Sequence, residues 1–230
     1  MGKKIEIQDQ NVSQIVIDLA NNLGVEYETS HNECCLRLPK EFGSGYIKSY
    51  EFDFGVGVLE IDCLFKKDFR LDFEKQTVHP LKMIFNRESG FYHKFENNEK
   101  FQEIKRLENA LVSSTQQNNH IFKISPDTPM CIFCIDVNRK KFEEKIESFL
   151  PDMNEDLIGL FRDVNGINKF YHKSYYSLEI SKFISEFTEC EHTDFMRKVY
   201  LEGKAYEILA HQLKQYLDDL NEPVKRLILR

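Results

Sequence analysis

The segment DFRLDFE, Asp68 to Glu74, decides the fold. Phe69, Leu71 and Phe73 alternate with Asp68, Arg70, Asp72 and Glu74. Successive strand side chains point to opposite faces, so one face is buried and the other wet, the pattern of an antiparallel sheet. On this reading Asp72 and Glu74 are solvating charges beside Arg70. Upstream, Tyr50, Phe52 and Phe54 alternate with polar residues, and Leu59, Ile61, Cys63 and Phe65 follow. Downstream, Leu81, Met83 and Phe85 face inward until Ser89 and Gly90 turn the chain into Phe91, His93 and Phe95. Leu107 to Ser113, then His120, Phe122 and Ile124, then Met130 to Val137 bring the total to about eight strands, a spacing that predicts a barrel or jelly roll over residues 25–137.

Helical periods flank this region, which makes the fold class α+β. In residues 1–24, Asn11 or Ser13 caps a helix whose Val12, Ile15, Val16, Leu19 and Leu23 recur at three- and four-residue steps, and Gly24 ends it. This helix is expected to pack on the barrel. Residues 138–220 read as helical: Arg139 to Phe149 before Pro151, Asn154 to Asp163, and a helix capped by Ser174 with a Tyr176, Ile180, Phe183, Phe187 stripe. From Thr193 to Leu220 one stripe runs through Phe195, Val199, Tyr206, Leu209, Leu213, Tyr216 and Leu220, and a second through Leu201, Ala205 and Ile208. Neighbouring helix residues lie about 100° apart, so this arc is wide enough to bury the helix on two sides. Its second partner is either the rest of the same chain or the same helix of a second subunit.

Several function classes are excluded. The 230 residues carry 31 basic and 38 acidic side chains, a formal charge of −7, the wrong sign for gripping DNA unaided. No window approaches a membrane span, and MGKKIEIQDQ has no apolar signal core, so the chain reads as cytoplasmic. Lys3 to Glu6 lack the Ser or Thr of a myristoylation start. The six cysteines read as free thiols: Cys131 and Cys134 lie three apart in a strand and face opposite ways, and Cys34 and Cys35 have no second pair. There is no GxSxG elbow, no phosphate loop and no HExxH, and the GxG pairs at Gly43, Gly45, Gly55 and Gly57 mark turns or bulges. No HxH pair offers a metal site, so neither metal nor cofactor is expected.

The parity of the strands assembles one candidate site. Arg87 shares the parity of Leu81, Met83 and Phe85 and is placed at the barrel mouth, with His93 and His120 behind it and Tyr50, Phe85, Phe95 and Phe122 as walls. A guanidinium over an aromatic pocket suits a mostly apolar ligand with an acidic group. The blander reading has Arg87 cap the barrel end and reach water. His79, before Pro80, is a remote third histidine.

FYHKSYYSLEISKFISEF (Phe170 to Phe187) and MRKVYLEGKAYEILAHQLKQY (Met196 to Tyr216) resemble the hinge region of AraC-type transcriptional regulators, in the siderophore-regulator-like branch common in Bacteroidetes. The matching positions are His172, Tyr176, Ser177, Leu178, Leu201, Glu202, Lys204, Ala205, Glu207, Leu209, Gln212 and Leu213. FGSGYI (Phe42 to Ile47), VHPLKMIF (Val78 to Phe85) and HKFEN (His93 to Asn97) are similar to the sensor portion of that branch. The resemblance implies a cupin-like sensor barrel that binds a small effector, a helical dimerisation segment, and a linker over 221–230 toward a tandem helix-turn-helix domain that alone would touch DNA. Lys225, Arg226 and Arg230 fall in that linker. The chain stops at PVKRLILR, which favours an excised sensor half over a protein that lost its reader. A homodimer would form through Leu201, Ala205, Ile208, Leu209, Gln212, Leu213 and Tyr216. No turnover is expected. The competing readings are a metal-dependent cupin enzyme using His79, His93 and His120, and a metal-free small-molecule carrier.

Overall fold

A computed structural model describes residues 3–74 and 78–221. The chain opens with β1 (Lys3–Ile7) and α1 (Val12–Leu23), then β2 (Tyr27–Ser30), β3 (Glu33–Arg37), β4 (Gly43–Glu51) and β5 (Val56–Phe65). Next come β6 (Phe69–Phe73), β7 (Leu81–Asn86), β8 (Phe91–Phe95), β9 (Gln102–Ile104), β10 (Glu108–Ser113), β11 (His120–Ile124) and β12 (Pro129–Val137). Helices α2 (Arg139–Ile146) and α3 (Glu155–Phe161) precede a late strand, β13 (Phe170–Tyr175), and α4 (Leu178–Thr188) and α5 (Asp194–Asn221) follow it.

The strands form two sheets, one ordered β1-β6-β11-β8-β9 and one ordered β13-β10-β7-β12-β5-β4-β3-β2. Every pairing is antiparallel except β1 with β6, which is parallel. The α+β class and the antiparallel barrel followed by helices are as the alternation predicts. Asn11 caps α1 by accepting from the Gln14 N–H at 2.8 Å, and Gly24 ends it at φ 68°. A side chain at Gly57 would run into Val12, so glycine is what lets α1 lie against β5.

The central strands β7, β10 and β12 of the larger sheet are buried on both faces. Ile84, Ala110, Val112, Leu59, Ile61, Ile132 and Cys134 face the lumen between the sheets, where Ile15, Val16 and Leu19 of α1 and Phe69, Leu71 and Phe73 meet them. Leu81, Met83, Phe85, Leu111, Val58, Phe133 and Ile135 face the other way and pack under α4 and α5. With hydrophobic material on both sides, a strand such as β7 need not alternate between apolar and polar residues.

Four expectations are corrected here. Phe54 is not inward: β4 ends at Glu51, and the chain reverses through a short 3-10 turn with Phe54 at φ 56° and 45% exposed. Asp72 is not on a wet face, because β1 pairs beside β6 and leaves it 5% exposed, held by Arg70 at 2.6 and 2.9 Å and Lys4 at 3.5 Å. Ser174 caps no helix. It lies in β13, and the cap is Ser177, whose hydroxyl accepts from the Ile180 N–H at 3.2 Å. Aromatic residues of both parities in FYHKSY hide that strand's alternation.

The fourth concerns the proposed dimer contact. Leu201, Ala205, Ile208, Leu209, Gln212 and Tyr216 are buried inside the chain, with Leu213 partly buried against the same core. Asn109 of β10 donates to Gln212 Oε1 at 2.5 Å, and Gln215 donates to the Tyr175 carbonyl at 2.7 Å. The wide apolar arc is spent on the chain's own sheet and α4. Phe195, Met196 and Val199, at the start of α5, face solvent. Residues 222–230, with Lys225, Arg226 and Arg230 of the expected linker, lie outside the described residues.

Candidate functional site in the barrel lumen

The smaller sheet lines one wall of the lumen by period two. β8 turns Phe91, His93 and Phe95 inward, and β11, paired with it, brings His120 and Phe122 to the same side. The His93 and His120 rings lie 5.3 Å apart, with His93 Nε2 and His120 Nδ1 joined at 3.1 Å. Phe95 is 5.3 Å from His120, Phe122 is 5.1 Å from His93, and Tyr171 of β13 stacks on His93 at 5.7 Å. Burial pushes His93 down to about 3 and holds His120 well below the usual histidine range, so both rings are neutral at neutral pH.

The predicted group divides in two. His93, His120, Phe95 and Phe122 are together in the lumen. Arg87, Tyr50 and Phe85 stand on the opposite face of the larger sheet, beneath the helices. Arg87 Nη2 donates to Ser185 Oγ of α4 at 3.2 Å, Tyr50 meets Phe187 edge-on at 5.1 Å, and Phe85 meets Tyr176 at 5.5 Å. The cause is the register of β7: its odd residues point at the helices and its even residues at the lumen. Arg87 therefore neither guards the barrel mouth nor backs onto the histidines.

The even residues of β7 bring in groups that local spacing did not reveal. Lys82 is 2% exposed and donates to Asp9 Oδ1 at 2.7 Å and Asp136 Oδ2 at 2.5 Å. Asp9 Oδ2 also pairs with His79 Nδ1 at 2.9 Å, and the His79 ring lies 5.0 Å from His120. Burial opposes every charge here. For Asp9, the Lys82 ammonium and His79 outweigh it and hold the carboxyl below its ordinary value. For Asp136, burial and the Asp9 charge win and push it up. Lys82, between two carboxylates, is held above the usual lysine range despite its burial. The polar end of the lumen is thus a chain from Asp136 through Lys82, Asp9 and His79 to His120 and His93. The rest is apolar and nearly full: a cavity of about 40 Å3 is bounded by residues including Ile15, Leu71, Phe73 and Phe122. Cys134 and Cys131 face opposite ways, and Cys134 donates to Asp136 at 3.1 Å.

The chain is thus a barrel with a titratable lumen on one side of a shared sheet and a helix layer on the other. The family described as "Regulatory protein PchR N-terminal domain" matches residues 46–227, and the chain belongs to it, an N-terminal domain of AraC-type regulators. Among solved structures, ToxT from Vibrio cholerae is similar at 18% identity and TM-score 0.38, over 64% of this chain and 53% of that one. The AraC-like transcriptional activator CuxR is similar at 7% and 0.33, over 82% and 88%. Procruciferin, an 11S globulin from Brassica napus, is similar at 13% and 0.34, over 65% and 33%. The chain spans about half the ToxT chain and a third of the globulin. No curated protein matches it. No helix among the described residues is long and apolar enough to cross a membrane.

Proposed function

We propose that this chain is the effector-sensing part of a cytoplasmic AraC-type transcription factor, which binds a small molecule in the lumen without turning it over. The observation that carries this reading is the alternation of β7 and β12, which places one set of side chains in the lumen and the next against α4 and α5. An occupant that shifts Ile84 or Cys134 must shift Met83 or Phe133 with it. Binding one arrangement of the helices better than another then biases the placement of DNA-reading domains joined to them, a coupling typically worth about 1–3 kcal/mol.

The effector is mostly apolar, with a hydrogen-bonding end toward His93 and His120 and its body against Phe95 and Phe122. Because the closed lumen holds only about 40 Å3, entry requires α1 or the Phe122 ring to give way. With Arg87 on the far face, an acidic group on the ligand has no anchor there. Association of two copies falls to the outward side of α5 at Phe195, Met196 and Val199. Thermal-shift screening of small organic molecules, followed by hydrogen exchange on each hit, tests the reading. A lumen ligand should protect β8 and β11 and alter exchange in α5, and Phe122→Ala should abolish both effects. Steady conversion of a hit by the chain alone, or protection confined to the surface of α5, would overturn it.

A further inference from the structure

The polar end of the lumen holds more ligating atoms than effector sensing uses. Asp9 lies in the turn between β1 and α1, His79 before β7, and His120 at the start of β11, with exposures of 1%, 0% and 0%. One ligand atom from each lies within 4.8 Å of the other two. The Asp9 carboxylate holds His79 on its Nδ1 side, and His93 holds His120 on its Nδ1 side. The Nε2 atoms of both His79 and His120 are left buried with no hydrogen-bond partner among the described residues. A buried polar group without a partner costs about 1–3 kcal/mol, and here two stand on adjoining rings.

An imidazole fixed from behind by a hydrogen-bond partner is how proteins orient a histidine toward a metal, and His93 stands in that place behind His120. Asp9 and Asp136 face the single ammonium of Lys82, while Arg139 is turned to the His79 carbonyl at 3.3 Å and Asp163 at 3.5 Å.

We propose that Asp9, His79 (through Nδ1, in place of its direct contact with Asp9) and His120 bind a divalent transition-metal ion at the polar end of the lumen, with His93 positioning His120. Imidazole and carboxylate donors suit zinc, cobalt or nickel. Ligand distances of about 2.0–2.2 Å require the three groups to close by at most about 1.5 Å. The site stands whether or not the lumen also takes an organic effector.

Cobalt(II) titration of the purified, folded chain, carried to equilibrium, tests it. The expected result is a saturable visible d–d absorption at one equivalent, displaced by zinc. His120→Gln and His79→Gln should abolish it, His172→Gln should leave it intact, and His93→Phe should weaken affinity about 10–100-fold. If either glutamine variant fails to fold by circular dichroism, the wild-type spectrum and the His93→Phe shift decide. No absorption and no zinc retained on dialysis would overturn the assignment. So would a strong thiolate charge-transfer band, or binding that survives in folded His79→Gln and His120→Gln.

Discussion

The two faces of the central strands β7, β10 and β12 are both buried but differently built. Toward α4 and α5, Phe85, Phe133, Tyr50 and Phe187 interlock as rings 5.1–6.3 Å apart, in a layer that also takes in Leu201, Ala205, Ile208, Leu209 and Tyr216 of α5. Toward the lumen, the same strands present Lys82 and Asp136 in a buried ionic chain beside an aromatic pocket. An apolar layer tolerates small shifts, whereas a buried ionic chain fails when one member is lost. The difference assigns adhesion to one face and a discriminating, polar interior to the other.

The largest test of that contrast is Lys82→Met. It leaves Asp9 and Asp136 buried without their cation, and removal of one partner from such a cluster costs about 3–5 kcal/mol. Urea unfolding measures it. A loss under 1 kcal/mol would mean that the carboxylates reach water and that the chain is no buried network. On the helix face, Leu201→Ala should cost about 2–5 kcal/mol by leaving a cavity. The decisive detail is concentration. The loss should be the same in dilute and concentrated protein, because Leu201 is buried within its own chain. A concentration-dependent loss would return that stripe to a subunit interface.

Acid should destabilise the chain through the lumen histidines. Folded His93 titrates near 3, below its ordinary 6.5, and His120 is lowered as well. As pH falls below 6.5 the unfolded chain takes up protons that the folded chain refuses, so stability present at pH 7 is lost toward pH 3. Between pH 7 and 5 the loss is about 2 kcal/mol for His93. Asp136, pushed up when folded, acts in the opposite sense, so the readout is the difference between wild type and His93→Phe. The variant's profile should be flatter by about 2 kcal/mol over that interval. Equal profiles would show that His93 is protonated in the folded barrel.

The same contrast explains what the sequence disclosed. DFRLDFE was legible because β6 belongs to the sheet whose outer face carries charges, and His93, His120, Phe95 and Phe122 were placed on one side by the same period. LKMIFN was not, because all six residues of β7 are buried. Alternation tells polar from apolar there but cannot say which of two cores an apolar residue joins. Arg87 reads as inward for its parity with Phe85, whereas the lumen side of this strand carries Lys82. Asp9 is 70 residues from its partner His79, a separation with no local signature. The breadth of the apolar arc on α5 correctly announced two-sided burial, but nothing in the pattern distinguishes a sheet of the same chain from a second subunit.

The smallest effect is expected at Arg87, and it decides whether the division between the faces is complete. Its backbone N–H donates to the Cys131 carbonyl at 2.8 Å and survives Arg87→Ala, so the strand pairing stays intact. What is lost is one hydrogen bond to Ser185 Oγ at a partly exposed position, about 0.5–1.5 kcal/mol. Because the sheet separates this guanidinium from His93 and His120, the affinity of any lumen ligand, carboxylated or not, should be unchanged by calorimetric titration. A drop for carboxylated ligands alone would place an effector on the helix side of the sheet, between β7 and α4. Ser185 would then share in its recognition, and the site would have to be sought on the face assigned here to adhesion.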